Sequence, residues 1–86
     1  MALTDTDRQI LDFEAGWWTR PGPKAGGIRA AVGLSPTAFY RRLDALAARA
    51  DAFAYAPLVV QRIRRRQSQR RRVRFEGAVA PHDRLR

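Results

Sequence analysis

Cysteine is absent from the 86 residues, so no disulfide framework and no thiolate chemistry is available. Histidine occurs once, at His82, and the acids Asp5, Asp7, Asp12, Glu14, Asp44 and Asp51 are scattered along the chain. No metal-ligating or nucleophilic constellation forms from them, which argues against an enzyme and leaves no metal, cofactor or small-molecule substrate to expect. No apolar run reaches the roughly 18 residues of a membrane span, and the start, Met1 to Asp7, is acidic and lacks the basic and apolar stretches of a secretory signal. A cytoplasmic protein with no membrane partner is therefore expected. Lysine is nearly missing: Lys24 stands alone beside 16 arginines. That preference suits bidentate forks on phosphate, although a GC-rich genome produces it equally well.

What is present begins with a run of punctuation and pattern, Gly33-Leu34-Ser35-Pro36-Thr37-Ala38-Phe39-Tyr40-Arg41-Arg42-Leu43. Glycine supplies a left-handed residue where one helix stops. Ser35 caps the next helix, and Pro36 takes its first position, where no amide donor is missed. Phe39, Leu43 and Leu46 then share one face, while Thr37, Tyr40 and Arg41 stand on the other. This is the pattern of the turn and second helix of a helix-turn-helix, whose polar face reads base edges in a major groove.

Charge supports a polyanionic partner. Residues 1–57 carry a net +1 and residues 58–86 a net +8. Eight of the arginines fall within the thirteen residues 62–74, with no acid among them. Each phosphate that such a segment neutralises releases condensed counterions from nucleic acid.

The remaining elements follow from periodicity and breakers. A first helix is expected from near Thr4, its cap, to about Trp18, with Asp5 and Asp7 at the positive end of its dipole. Ile10, Phe13 and Trp17 form one apolar stripe, with Leu11 and Trp18 beside it, and both tryptophans are read as core anchors. Pro21-Gly22-Pro23 forbids regular helix. The second helix contains Ile28, Ala31 and Val32, and its start is expected to fray, or to fall only near Gly26, because Gly26 and Gly27 each cost about 1 kcal/mol in a helix. Arg29 occupies the position four before the turn glycine, where a small residue commonly lets two helices approach. It is expected to snorkel outward or to widen the crossing. The third helix is expected over 36–50, followed by a connection, 51–56, in which Phe53 and Tyr55 cover the core. Pro57 opens the last helix, whose apolar stripe Val59, Val60 and Ile63 ends where the arginines begin. Beyond Ile63 it is expected to leave the core as an arm, ordered only when phosphates neutralise it. Leu58, Val59 and Val60 either cap the core or join two subunits. Asp12 and Glu14 are expected on the solvated surface, and Asp44 is expected to serve arginines of its own helix.

These residues resemble a family of small actinobacterial helix-turn-helix proteins catalogued as a domain of unknown function. The likeness runs from Phe13 to about Arg74. It rests on Phe13 with Trp17-Trp18, Lys24, Ile28-Arg29, Gly33-Leu34-Ser35 followed by Phe39-Tyr40 and Leu43, then Pro57-Leu58-Val59 leading into Arg62-Ile63-Arg64-Arg65. The resemblance implies an all-helical DNA-binding protein, a regulator or a chromosome-associated factor, and makes Arg29 a habit of the family. The chain departs from the family at Phe39, where a tyrosine is usual, and at Ala56, where an acid usually precedes the proline. It departs again at Gly26-Gly27, which replace more helix-favouring residues.

The fold expected is all-α: a three-helix core containing a helix-turn-helix, plus a fourth, Arg-rich C-terminal helix. It divides into a helix-turn-helix domain (1–57), a basic helical arm (58–75) and a disordered tail (76–86). The partner expected is double-stranded DNA, with a second copy of the chain as a further partner, since one small unit reads few base pairs. Thr37, Tyr40 and Arg41 are the candidates for base contacts. Lys24, Ser35, Arg42, Arg62, Arg64, Arg65, Arg66, Arg70, Arg71, Arg72 and Arg74 are the candidates for the DNA backbone. Three functions fit: a transcriptional regulator, a low-specificity nucleoid-associated protein that coats DNA, and an interaction module docking on RNA polymerase.

Overall fold

The structure, a computed structural model, describes the backbone of residues 2–79 and the side chains of residues 2–73. Among the described residues it is all-helical. The elements are α1 (Asp5–Gly16), a 3-10 turn (Trp17–Thr19), α2 (Lys24–Val32), α3 (Pro36–Leu46), α4 (Ala50–Tyr55) and α5 (Pro57–Val79).

Local chemistry explains the ends of α1. The Asp7 amide donates to Thr4 Oγ1 at 3.0 Å and the Thr4 amide donates to Asp7 Oδ2 at 3.1 Å, a reciprocal capping box. Asp7 is thus more than a favourable charge at the dipole. The α-helix stops at Gly16, two residues before its expected end, and the chain tightens into the 3-10 turn, where the Thr19 hydroxyl donates to the Gly16 carbonyl at 2.8 Å. Trp17 is half-buried against the core, but Trp18 is 54% exposed. The change of helical period turns Trp18 off the core stripe, so only one of the two tryptophans is a core anchor.

Contrary to the expected frayed start, α2 begins at Lys24, directly after the extended Pro23. Gly27 explains why a glycine is tolerated inside it. A Cβ there would stand 3.1 Å from Phe13 Cζ, so its absence lets α1 and α2 close on each other. Close approach is provided by Gly27, and Arg29 simply points to solvent. Gly33, at φ 79°, terminates α2 and donates its N–H to the Ile28 and Arg29 carbonyls. Ser35 Oγ accepts from the Ala38 amide at 3.2 Å, and Pro36 opens α3 as its capping pattern requires.

α3 ends at Leu46, short of the expected Ala50, because Ala48 and Arg49 donate to the carbonyls of Ala45 and Leu46 and tighten the chain. The segment expected as a connection is instead the short helix α4. Its composition, Ala50-Asp51-Ala52-Phe53-Ala54-Tyr55, favours helix, and Asp51 sits in its first turn against the positive end of the dipole. Ala52, fully buried, is the residue α4 gives to the core; Phe53 and Tyr55 lie largely outside it.

The core joins Ile10, Leu11 and Phe13 of α1, Ile28 of α2, Phe39, Leu43 and Leu46 of α3, and Val59, Val60 and Ile63 of α5. Phe13 and Phe39 meet edge to face with centroids 5.7 Å apart. The expected division of Leu58-Val59-Val60 resolves residue by residue: the two valines are buried and Leu58 is 75% exposed.

Beyond Ile63, α5 stays helical to Val79 and remains tied to the domain through polar side chains. Ile63 is the last residue of α5 in the core, as expected, but the segment from Arg64 to Arg70 stays docked on the domain by these polar ties. Residues 76–79, expected in the tail, continue the helix, and residues 80–86 lie outside the described residues. No helix among the described residues is long and apolar enough to cross a membrane.

Candidate nucleic-acid interface

Projected at about 100° per residue, the buried stripe Phe39, Leu43 and Leu46 leaves Thr37, Arg41 and Ala45 on the opposite side of α3. All three are exposed. Tyr40 sits at the margin of that face, 36% exposed, with its ring edge-on to Phe39 at 5.2 Å. Of the three candidates for base contact, Thr37 and Arg41 are therefore fully presented and Tyr40 only in part.

Tyr40 is drawn inward by Lys24. The ammonium lies 5.0 Å from the Tyr40 ring centroid, 4.5 Å from that of Trp17, and 3.0 Å from Glu14 Oε1. Glu14 is buried, which corrects its expected place on the solvated surface. Its other oxygen, Oε2, lies 3.5 Å from Arg66 of α5. The sequence signal was available: Glu14 follows Ile10 by four residues and so continues the buried stripe of α1. Burial of a carboxylate demands cationic partners, and Lys24 and Arg66 supply them. Lys24 is thus an internal counter-ion, its side chain 18% exposed.

A second set of ion pairs lies at the other end of α1. Asp7 Oδ1 accepts from Arg42 at 3.0 Å, and its Oδ2 lies 3.7 Å from Arg49. Burial pushes the Asp7 carboxyl up, but hydrogen bonds from the Thr4 amide and from Arg42 outweigh this and hold it below its usual range. Arg49 also forks onto Asp51, whose carboxyl is lowered chiefly by that hydrogen bond. Asp44, expected to serve arginines of its own helix, faces α5 instead. There it accepts from Gln67 at 3.3 Å and stands 3.6 Å from Arg70.

The arginines of α5 therefore divide by direction. Arg64 donates to the Ala47 carbonyl at 2.7 Å and covers Phe53, while Arg62 lies over Trp18 with its guanidinium carbon 5.3 Å from the ring centroid. Arg66 and Arg70 bind the acids already named. Arg65, Arg71 and Arg72 are exposed and, among the described residues, have no acidic partner. Arg41 shares that condition on α3. The Arg74 side chain lies outside the described residues. At the C-terminal end of α3, Arg64 reaches the Ala47 carbonyl while Gln67 and Arg70 reach Asp44. Ser35 is exposed at the start of α3, its hydroxyl engaged in the cap.

No group of His, Cys, Asp and Glu among the described residues could hold a metal ion. Fold and charge distribution together define an all-helical protein with cationic surface on two neighbouring helices, α3 and α5. The chain belongs to the family described as Protein of unknown function (DUF3263), whose sequence profile matches residues 2–75. That span covers α1 to α4 whole and every α5 contact described above. No curated protein and no solved structure matches the chain.

Proposed function

We propose that this protein binds duplex DNA as a helix-turn-helix transcriptional regulator, acting on the nucleoid. In this reading α2, the Gly33 turn and α3 form the motif. α3 enters the major groove with Thr37 and Arg41 toward base edges and Tyr40 at the edge of the contact. Arg65, Arg71 and Arg72 of α5 grip phosphates, with Arg74 as a further contact, whereas Arg62 and Arg64 are engaged by Trp18 and by the Ala47 carbonyl. Ser35 at the start of α3, and Arg42 on the flank of α3 where it also pairs with Asp7, are further backbone contacts. The observation that carries the reading is the exposure of Arg41 with no acidic partner, on a helix whose other face is fully packed.

A second reading, a low-specificity DNA-coating protein, is favoured by a small outward residue of α3. Ala45 is exposed there, so few groups on that face can discriminate bases. Fluorescence anisotropy on promoter fragments against random duplex, at two salt concentrations, separates the two. A regulator keeps its preference as salt rises, whereas a coating protein shows none at either concentration. A protein that ignores duplex DNA in dilute buffer overturns both. A nuclease-resistant association with RNA polymerase would then favour the interaction module.

A further inference from the structure

Leu58 is 75% exposed, the most exposed large apolar side chain among the described residues. It stands at the edge of a groove between α1 and the α4–α5 junction, lined by Leu11, Ala15, Tyr55, Pro57 and Val59. Trp18, 54% exposed, lies under Arg62, which stands one turn beyond Leu58 on α5. An exposed apolar groove on a small, strongly charged protein marks a contact site.

Charge identifies the occupant. Every other carboxylate with a described side chain lies within 4 Å of a cation of its own chain. Asp12, on the groove's α1 wall, is the exception: its oxygens accept only the Tyr55 hydroxyl, at 2.9 and 3.1 Å. In a chain of net charge +9, the one carboxylate among the described side chains with no cation within 4 Å sits beside the exposed apolar groove. Arg62, one helical turn beyond Leu58 on α5, carries a guanidinium that touches an indole and no acid. The surface thus presents an apolar groove, an acid with no cation within 4 Å and a guanidinium with no acid within 4 Å. Opposite charges on one patch are what an isologous two-fold contact pairs across its axis.

We propose that the Leu58 groove is the homodimer interface of this protein, with Leu58 of each copy seated in the groove of the other and Asp12 of each copy facing Arg62 of the other. The surface lies on the side of α1 away from Phe39 and Arg42, so dimerisation leaves the outer face of α3 open. The proposal stands without the DNA-binding reading, and its test contains no DNA.

Sedimentation equilibrium of the full chain, from low to high micromolar concentration, is expected to show a monomer–dimer equilibrium. Leu58→Glu is expected to weaken dimerisation by at least about tenfold while leaving the helical circular dichroism and thermal midpoint of the dilute protein unchanged. Asp12→Arg and Arg62→Asp are each expected to weaken it, and the double variant, with the pairing reversed, to restore it. A monomer at every concentration overturns the proposal. So does a dimer that is indifferent to Leu58→Glu, or a double variant no better than either single change.

Discussion

Glu14 and Lys24 meet inside the fold, their charges 3.0 Å apart and their side chains only 6% and 18% exposed. The pair joins α1 to α2, and the aromatic rings of Trp17 and Tyr40 close around the ammonium. Arg66 brings α5 to the same carboxylate. Three helices are thereby held at one buried acid.

Removing Lys24 is expected to act on stability. Lys24→Met leaves Glu14 buried with Arg66 as its remaining described partner, and should destabilise the protein by about 2 kcal/mol, below the full cost of stranding a buried charge. Glu14→Gln in the same background should recover part of that loss, because the uncompensated charge is gone. Urea denaturation of the three proteins checks the order. Equal stability of wild type and Lys24→Met contradicts the role given to the pair.

Two adjacent glycines should respond in opposite directions. Gly26 has nothing within 4 Å of an added Cβ, so Gly26→Ala should stabilise by about 0.5–1 kcal/mol through helix propensity. At Gly27 the same Cβ meets the Phe13 ring at 3.1 Å and Phe13 is itself buried, so Gly27→Ala should destabilise by about 1 kcal/mol despite the same propensity gain. Thermal melts of both variants test this.

Acid should loosen the contact between α1 and α3. The Asp7 carboxyl titrates below its ordinary value of 3.8 in the folded protein. A depressed acid contributes stability that is fully present above its unfolded pKa and lost as pH falls through the folded one. The loss should therefore set in below about pH 4. Asp7→Asn should lower stability at neutral pH and flatten that acid limb, as read from denaturant midpoints across pH. An acid limb as steep in the variant as in the wild type rules out Asp7 as its source.

Under the DNA-binding proposal, salt dependence should separate the arginines. The three α5 guanidiniums without an acidic partner, on Arg65, Arg71 and Arg72, contribute about −2.7 to the slope of log K on log salt. Replacing Arg65, Arg71 and Arg72 by Gln should weaken all duplexes alike and flatten the slope by about three phosphate contacts. Arg41→Ala should reduce preference between sequences as well as affinity. Asp44→Asn, which releases Arg70, should tighten binding at low salt.

The parts legible in the residues were those decided within one or two helical turns. Thr4, Ser35, Pro36, Gly33 and Pro57 each act on backbone a few positions away, and each stands where its local chemistry puts it. The apolar stripes of α1, α3 and α5 are equally local, because the helical period alone puts Phe39, Leu43 and Leu46 on one side. α4 was missed although its alanines favoured helix, since Phe53 and Tyr55 were read as apolar cover when only Ala52 reaches the core.

What only tertiary structure decided is the partner of each charge and the fate of each aromatic. Asp7 and Arg42 are 35 positions apart, Asp44 and Gln67 are 23 apart, and nothing in the periodicity of either helix names the other. Trp18 left the core because the backbone changed period one residue before it. Helix caps and stripes follow from covalent neighbours, whereas an ion pair depends on which helices cross and at what distance. The family's helices can therefore be read from the chain, and the allocation of its arginines between acids inside and solvent outside follows from packing.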